Sequence, residues 1–343
     1  MRFRKLGDSV GAVKRLILAV AAVLLVAAPA SAARAAVPKS ISIAAVGDTI
    51  LGNTPQLPGS PAKYFRSVAP RLQGDVVFGN LEGTLTNASA SKCGAGSSEC
   101  FAFRNPPRFA RAFKAAGFTV MNHANNHFGD FGRAGEADTI RALRRAGITQ
   151  SGRPADITVI PVKNLRVAFL GFAPYDNTPS LLDLPVARNL IEVAASLADI
   201  VVVAIHAGAE GSNALHVSGH EEHDVGEDRG NPERFAHMAV HAGADLVLGS
   251  GPHVLRGMEI FHRRLIAYSL GNFAGFHNFN TSGVLSLSAI LHVSLDPHGR
   301  FRSGRITSVR LAGPGRPVPD RSDSAAHLIR RLSRADFGRV AFR

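Results

Sequence analysis

The sequence predicts an α/β chain folded as one two-sheet domain, and three observations carry that prediction. Apolar runs rich in Val and Ile recur between segments of helical period. Those segments start or stop on residues that cap helices. Beyond Gly283 the texture changes to partial apolar and polar alternation, the pattern of antiparallel strands on a second sheet or at an edge. A chain of 343 residues, 45% hydrophobic and 19% charged, is long enough for one large core or two small ones. No repeat and no long Gly/Ser linker divides it, which favours one domain.

At the N-terminus, Arg2, Arg4, Lys5, Lys14 and Arg15 precede the apolar stretch "LILAVAAVLLVAA", and "PASAARAA" then offers Ala-x-Ala cleavage choices. These are the parts of an export signal, cut after Ala32. The stretch is short of the roughly 20 residues of a spanning helix, so residues 1–32 read as a signal peptide, with an uncleaved membrane anchor as the alternative. Both place the bulk of the chain outside the cytoplasm, extracellular or at the cell surface. The two cysteines, Cys93 and Cys100, are spaced C-x6-C in "SKCGAGSSECF". Export into an oxidising compartment makes a loop-stapling disulfide the expectation, since a redox pair is usually closer, as C-x-x-C.

The predicted strands are "ISIAAVGD", "DVVFGNLE", "FTVMNHANN", "LRVAFLGFAPYD", "DIVVVAIHAG", "ADLVLGSG" and "LIAYSLGNF", each reading as buried on both faces. Helices lie over "PPRFARAFKAAG" and "EADTIRALRRAG", each closed by glycine, and over "NPERFAHMAVHAG", opened by Asn231 as cap with Pro232 first in the helix. "GVLSLSAILHVSLD" and "FRSGRITSVRLAG" supply the antiparallel strands. The domain is expected over 41–315, with a tail of a closing helix and a basic end over 316–343.

Lys plus Arg exceed Asp plus Glu by 39 − 26 = 13, mostly through arginine. No dense basic run sits beside stacking aromatics, tryptophan is absent, and no zinc-finger cysteine spacing occurs, so nucleic acid is not the expected partner. An acidic extracellular ligand suits the surplus. There is no Gly-x4-Gly-Lys-Ser/Thr loop for a nucleotide and no Gly-x-Ser-x-Gly elbow for a serine nucleophile. What recurs is a set of polar residues at predicted strand ends: Asp48, Asn80 with Glu82, Asn125 to His127, His206 with Glu210, and His253. In open α/β sheets that edge binds ligands. Carboxylate, amide oxygen and imidazole together suit a divalent Mn, Zn or Fe ion.

The stretches "VGDTILG", "GDVVFGNLEGTLT", "NHANNHFGDFG", "IHAGAE" and "GADLVLGSGPHVLRGMEIFHRRLIAYSLGNF" resemble, in order from about Ile41 to about Leu311, the capsule-synthesis CapA family, linked to poly-γ-glutamate. That family is in turn similar to calcineurin-like metallophosphoesterases, so the resemblance implies a four-layer αββα two-sheet sandwich with one or two divalent ions between paired sheets. It implies Asp48 and His253 for one ion, Asn126 and His206 for the other, Glu82 as bridging carboxylate, and His127 as proton donor. It also implies an acidic polymer as ligand, membrane biosynthesis proteins as partners and a role in synthesis, export or processing of that polymer, with a metal-dependent hydrolase of a phosphoester or amide and a non-catalytic binding scaffold as the two alternatives. The chain departs from the phosphoesterase pattern at Ile50 and Gly251, where histidines stand in Gly-Asp-x-His and Gly-His-x-His. Asn272 in "YSLGNF" is expected either to orient a ligand or to form a simple turn. His216, His220 and His223 read as a solvated loop, and His237 with His241 as partly buried helix residues.

Overall fold

The computed structural model describes residues 38–93 and 100–342; the expected export signal lies outside them. The chain begins with β1 (Ile41–Ile50), α1 (Pro61–Tyr64), β2 (Val76–Leu81), β3 (Thr84–Leu85), β4 (Arg104–Asn105) and α2 (Ala110–Ala116). It continues through β5 (Val120–Asn122), α3 (Gly132–Ala146), β6 (Thr149–Ser151), β7 (Thr158–Val162), β8 (Leu165–Phe172) and α4 (Leu184–Leu197). Then come β9 (Ile200–His206), β10 (His223–Asp224), β11 (Glu227–Asp228), α5 (Pro232–His241), β12 (Leu246–Ser250) and β13 (Met258–Phe261). The last elements are β14 (Arg264–Ala267), β15 (Asn272–Gly275), β16 (Leu287–Leu295), β17 (Phe301–Ala312), β18 (Arg316–Pro319) and α6 (Ser324–Phe337).

Two large sheets form. The first runs β18-β17-β16-β1-β2-β5-β6, with β15 also pairing β1; the second runs β13-β14-β12-β9-β8-β7. Successive strand residues point to opposite faces, so each sheet feeds two cores. From β1, Ile43 and Ala45 face the second sheet, while Ala44 and Val46 face the helices. Between the sheets, Phe78 stacks on Phe169 at 6.3 Å, and Val202 and Leu248 complete the middle. Outside the first sheet, Phe113 of α2 and Leu143 of α3 pack on Val77 and Met121. Outside the second, Ile191 of α4 and Phe235 of α5 pack on Val203 and Val247. The result is the expected four-layer αββα sandwich. Each fully buried Leu, Ile or Phe contributes about 1.5–3 kcal/mol through burial, so all three apolar layers hold the fold.

Asn231 accepts from Arg234 N as the cap of α5, and α2 and α3 end on left-handed Gly117 and Gly147. Two expectations are corrected. The boundary at 315 separates nothing: β18 pairs with β17, and Leu328, Ile329 and Leu332 of α6 sit in the inter-sheet core, so 36–343 is one compact unit. "LIAYSLGNF" is not one strand. Its first half is β14 of the second sheet and its second half begins β15 of the first. The chain crosses between sheets at Tyr268–Gly271, and that crossing ties both sheet edges to the site.

Candidate metal centre

The crossing fixes the first site residue. A Cβ on Gly47 would stand 1.9 Å from the Gly271 carbonyl oxygen, so only glycine permits this approach. Asp48 N then donates to Gly271 O at 2.9 Å, and the strand register places Asp48 between Asn80 of β2 and Asn272 of β15. Asp48 therefore lies inside β1 rather than past its end. Glu82 follows β2, Asn125 to His127 form the loop after β5, His206 ends β9, and His253 follows β12. The first sheet brings Asp48, Glu82 and the Asn125–His127 loop; the second brings His206 and His253, so the site is shared by two sheet edges.

Asn80 is the clasp of the cluster. Its amide donates to Asp48 Oδ1 at 2.8 Å and Glu82 Oε2 at 2.6 Å, and its oxygen accepts from Asn122 and Asn125 at 2.9 and 3.1 Å. Asn125 also donates to Leu81 O and accepts from His127 N, which fixes the loop carrying Asn126 and His127. Asn80 and Asn125 hold the site's geometry through these bonds.

Asp48, Glu82 and His206 are fully buried, and each offers a ligand atom within 4.8 Å of the others. Glu82 Oε1, Asn126 Oδ1 and His206 Nε2 are buried without a hydrogen bond among the described residues. Polar atoms buried in this way are costly unless they meet a partner. Ser250 Oγ donates to Ile205 O, so its contact with His206 Nδ1 at 3.2 Å assigns the proton to Nδ1 and leaves the Nε2 lone pair free. Burial holds His206 well below the usual histidine pKa. Burial and the neighbouring charge of Asp48 push Glu82 well up. Burial also opposes the Asp48 charge, but the hydrogen bond and charge of His253, with His206 and Asn80, hold its carboxyl below the usual range. Carboxylates, an amide oxygen and a neutral imidazole left open at one place fit a borderline divalent ion.

A cavity of about 1040 Å³ opens over Glu82, Asn126, His127, Glu210, His253 and Asn272. His127 Nδ1 is 2.8 Å from Asp130 Oδ2, which leaves Nε2 as the nitrogen free to act. Asp130 also accepts from Phe103 N at 2.6 Å and pairs with Lys92 Nζ at 2.7 Å, while the Phe103 ring lies 4.4 Å from that of His127. Asp130, which backs the His127 ring, is absent from the residues expected from sequence. Its signal was the i, i+3 spacing in "NHFGD".

Residues 42–276 match the family described as bacterial capsule synthesis protein PGA_cap, over more than half of the chain. The chain belongs to that family. It is 28% identical over 321 residues to the PGA biosynthesis protein CapA of Bacillus subtilis, covering 86% of this chain and 78% of that one. It is 30% identical over 230 residues to the capsule biosynthesis protein CapA of Bacillus anthracis, covering 61% and 53%. Among solved structures, a 5'-nucleotidase precursor of Thermus thermophilus is similar at a TM-score of 0.42 and 13% identity, covering 86% of this chain and 59% of that one. The chain thus spans little more than half the length of the second CapA protein and of the nucleotidase.

The remaining side chains of this PGA_cap chain fall as follows. His253 has φ +59, a strained conformation for a non-glycine residue and one that recurs at functional sites. Its Nδ1 meets Asn272 Oδ1 at 2.8 Å and Asp48 Oδ2 at 3.2 Å, and its Nε2 meets Glu210 Oε2 at 3.4 Å. Burial opposes its charge, but Asp48, Glu210 and Asn272 push its pKa up to about 9. Ile50 is wholly buried. Gly251 has φ +110, a conformation a histidine adopts only under strain, so both departures from the phosphoesterase pattern are built into the backbone and core. Cys93 and Cys100 are disulfide-bonded, and Lys92, Cys100 and Phe103 of that loop line the cavity. His216 pairs with Asp336, and His237 bonds Glu259 and stacks on Phe261.

Proposed function

We propose that this chain acts outside the cytoplasm, in synthesis, export or processing of poly-γ-glutamate or a similar acidic cell-surface polymer, as a metal-dependent hydrolase of a phosphoester or amide. The observation that carries the reading is one juxtaposition. Glu82, Asn126 and His127 line a single cavity, Glu82 and Asn126 each carry a ligand atom without a partner among the described residues, Glu82 shares a ligand cluster with His206, and Asp130 backs the His127 ring.

Glu82, Asn126 and His206 would hold a divalent ion, with Asp48 and His253 at its flank. Bound there, the ion supplies Lewis-acid polarisation of the scissile group. His127 holds a proton at Nε2 for the leaving group, and Asp130 fixes the ring by taking the Nδ1 hydrogen bond. Phe103 shields one face of that ring from water. The net charge of +13 favours a polyanion outside the site, and membrane biosynthesis proteins are the natural partners for polymer export.

A second reading, a binding subunit without turnover, is favoured by one observation: Ile50 and Gly251 remove two imidazoles that the phosphoesterase pattern supplies. Metal analysis and turnover on the same preparation decide between them. Bound ion with hydrolysis of poly-γ-glutamate or a simple phosphoester that His127→Ala abolishes supports the enzyme. Polymer binding with no turnover, and normal polymer production by the His127→Ala strain, replaces it with the binding subunit.

A further inference from the structure

Two arginines are almost wholly buried, Arg229 and Arg256, each with 1% of its surface exposed. Arg256 is saturated. Its Nε donates to Ala214 O at 2.7 Å, and its two terminal nitrogens meet the Glu222 carboxylate at 3.0 and 2.7 Å. Such a fork-to-fork pair needs nothing further. Arg229 differs. Its Nη1 pairs with Glu210 Oε1 at 2.8 Å and lies 3.8 Å from Glu227 Oε2, and the guanidinium sits 5.9 Å over the Tyr175 ring. Its Nε and Nη2 are buried with no hydrogen-bond partner among the described residues. Leaving two donors of a buried cation idle is expensive, and a cation's donors accept no metal.

Position says what they wait for. Arg229 lines the same cavity as Glu82, Asn126 and His253. Its Nη2 lies 3.3 Å from where a Cβ on Gly251 would stand. A ligand histidine at 251 would start from that spot, so the guanidinium lies where this chain lacks a ligand. The other half of the site is closed by its own partners, since Asp48 and His253 bond each other, Asn80 and Asn272. Of the side chains left with an open atom, Glu82 and His206 belong with Asp48 to the one cluster of ligand atoms found among the described residues, and Asn126 lines the cavity beside Glu82, which makes one ligand set and not two.

We propose that the Arg229 guanidinium supplies the second positive charge of this centre, so that the chain works with one divalent ion and holds an oxyanion of its ligand, carboxylate or phosphate, between that ion and the free Nε–H and Nη2–H. This rests on the metal-site reading above. The planar fork of arginine matches both oxyanions, and a lysine in its place keeps the charge but loses the paired donors.

The test uses the full chain loaded with Mn²⁺, with bound metal counted by elemental analysis. Affinity for inorganic phosphate and, separately, for a short γ-glutamyl oligomer is measured by calorimetry. One ion per wild-type chain is expected. The probe that wild type binds should lose about ten- to hundredfold in affinity in Arg229→Met, with the ion retained and part of the affinity recovered in Arg229→Lys. Which probe responds tells whether the oxyanion is a carboxylate or a phosphate. Two ions in wild type overturn the inference and leave the metal reading standing; no ion at all overturns both. Unchanged anion affinity in Arg229→Met, or loaded wild type binding neither probe, also overturns it. If Arg229→Met does not fold, the wild-type ion count and the Arg229→Lys affinity carry the same decision.

Discussion

The two halves of the site are built on opposite plans. On one side Asp48 and His253 are held by Asn80, Asn272, Glu210 and each other, so each side chain's position is set by neighbours. On the other, Glu82 and His206 are fully buried and Asn126 half-buried, yet each leaves one ligand atom without a partner among the described residues. On the proposed function, the saturated half contributes stiffness and the open half contributes binding. Substitutions should therefore separate the two, with loss of ligand on one side and loss of stability on the other.

The sharpest test is Glu82→Gln against Asp48→Asn. Glu82→Gln should weaken Mn²⁺ binding by more than about a hundredfold and erase the rise in melting temperature on adding metal, a rise worth about 2.7 kcal/mol when metal stands at a hundred times its Kd. Its metal-free melting should be no lower than that of wild type, because it removes a carboxylate buried beside Asp48. Asp48→Asn should lower metal-free stability by about 2–3 kcal/mol, since it breaks contacts to His253 and Asn80. Equal behaviour of the two variants in calorimetric unfolding with and without metal would dissolve the distinction.

His127 tests the open half from its chemical side. In wild type that shows turnover, His127→Ala should lower kcat by about 10²- to 10⁴-fold, the range for general acid catalysis, while the ion count holds. Asp130→Asn should fall between, because the ring keeps its place in the loop but loses the carboxylate that orients Nδ1. Loss of metal in His127→Ala would make that residue a ligand.

The layers were legible because their cause is local. Continuous Val- and Ile-rich runs and capped helices name themselves, and the strand-end polar residues were found by position alone. Three features were hidden. The crossing at Tyr268–Gly271 looks in sequence like one buried strand, since both halves are apolar; only the pairing of β14 and β15 with different sheets divides them. Helix α4 was not recognised: Val186, Val193 and Leu197 are exposed and apolar, which blurs its face, although Asp183 caps it by accepting from Val186 N. Arg229 lies in a run of charges that reads as a solvated loop, and its burial depends on Gly208, Glu222 and Tyr175, all distant or conformational in origin.

Asn80 tests the stiff half at intermediate size. Its amide is the one group that touches both carboxylates and both supporting asparagines. Asn80→Ala leaves buried donors and acceptors on several neighbours at once, so chemical denaturation should show a loss of about 2–4 kcal/mol, with metal affinity reduced as well. Asn125→Ala, which keeps Asn80, should lose less. A loss under about 0.5 kcal/mol for Asn80→Ala would mean that the network is not what positions the carboxylates.

The smallest effect should come from the cavity wall. Cys93 and Cys100 are separated by seven positions, and closing so short a loop is worth about 2–3 kcal/mol in chain entropy. The double variant Cys93→Ser/Cys100→Ser should therefore unfold at lower denaturant by about that amount. Its effect on the site should be slight. Asp130 reaches His127 within its own turn, and Phe103 N and Lys92 Nζ still have that carboxylate to bind once the crosslink is gone. Metal content should stay at the wild-type value and kcat within about tenfold of it, a drop smaller than general acid catalysis contributes. If breaking the crosslink instead lowers kcat as far as His127→Ala does, while the ion count stays constant, then the loop is what holds the proton donor in place. The boundary between the stiff and open halves would then run through Lys92 and Phe103, outside the asparagine clasp.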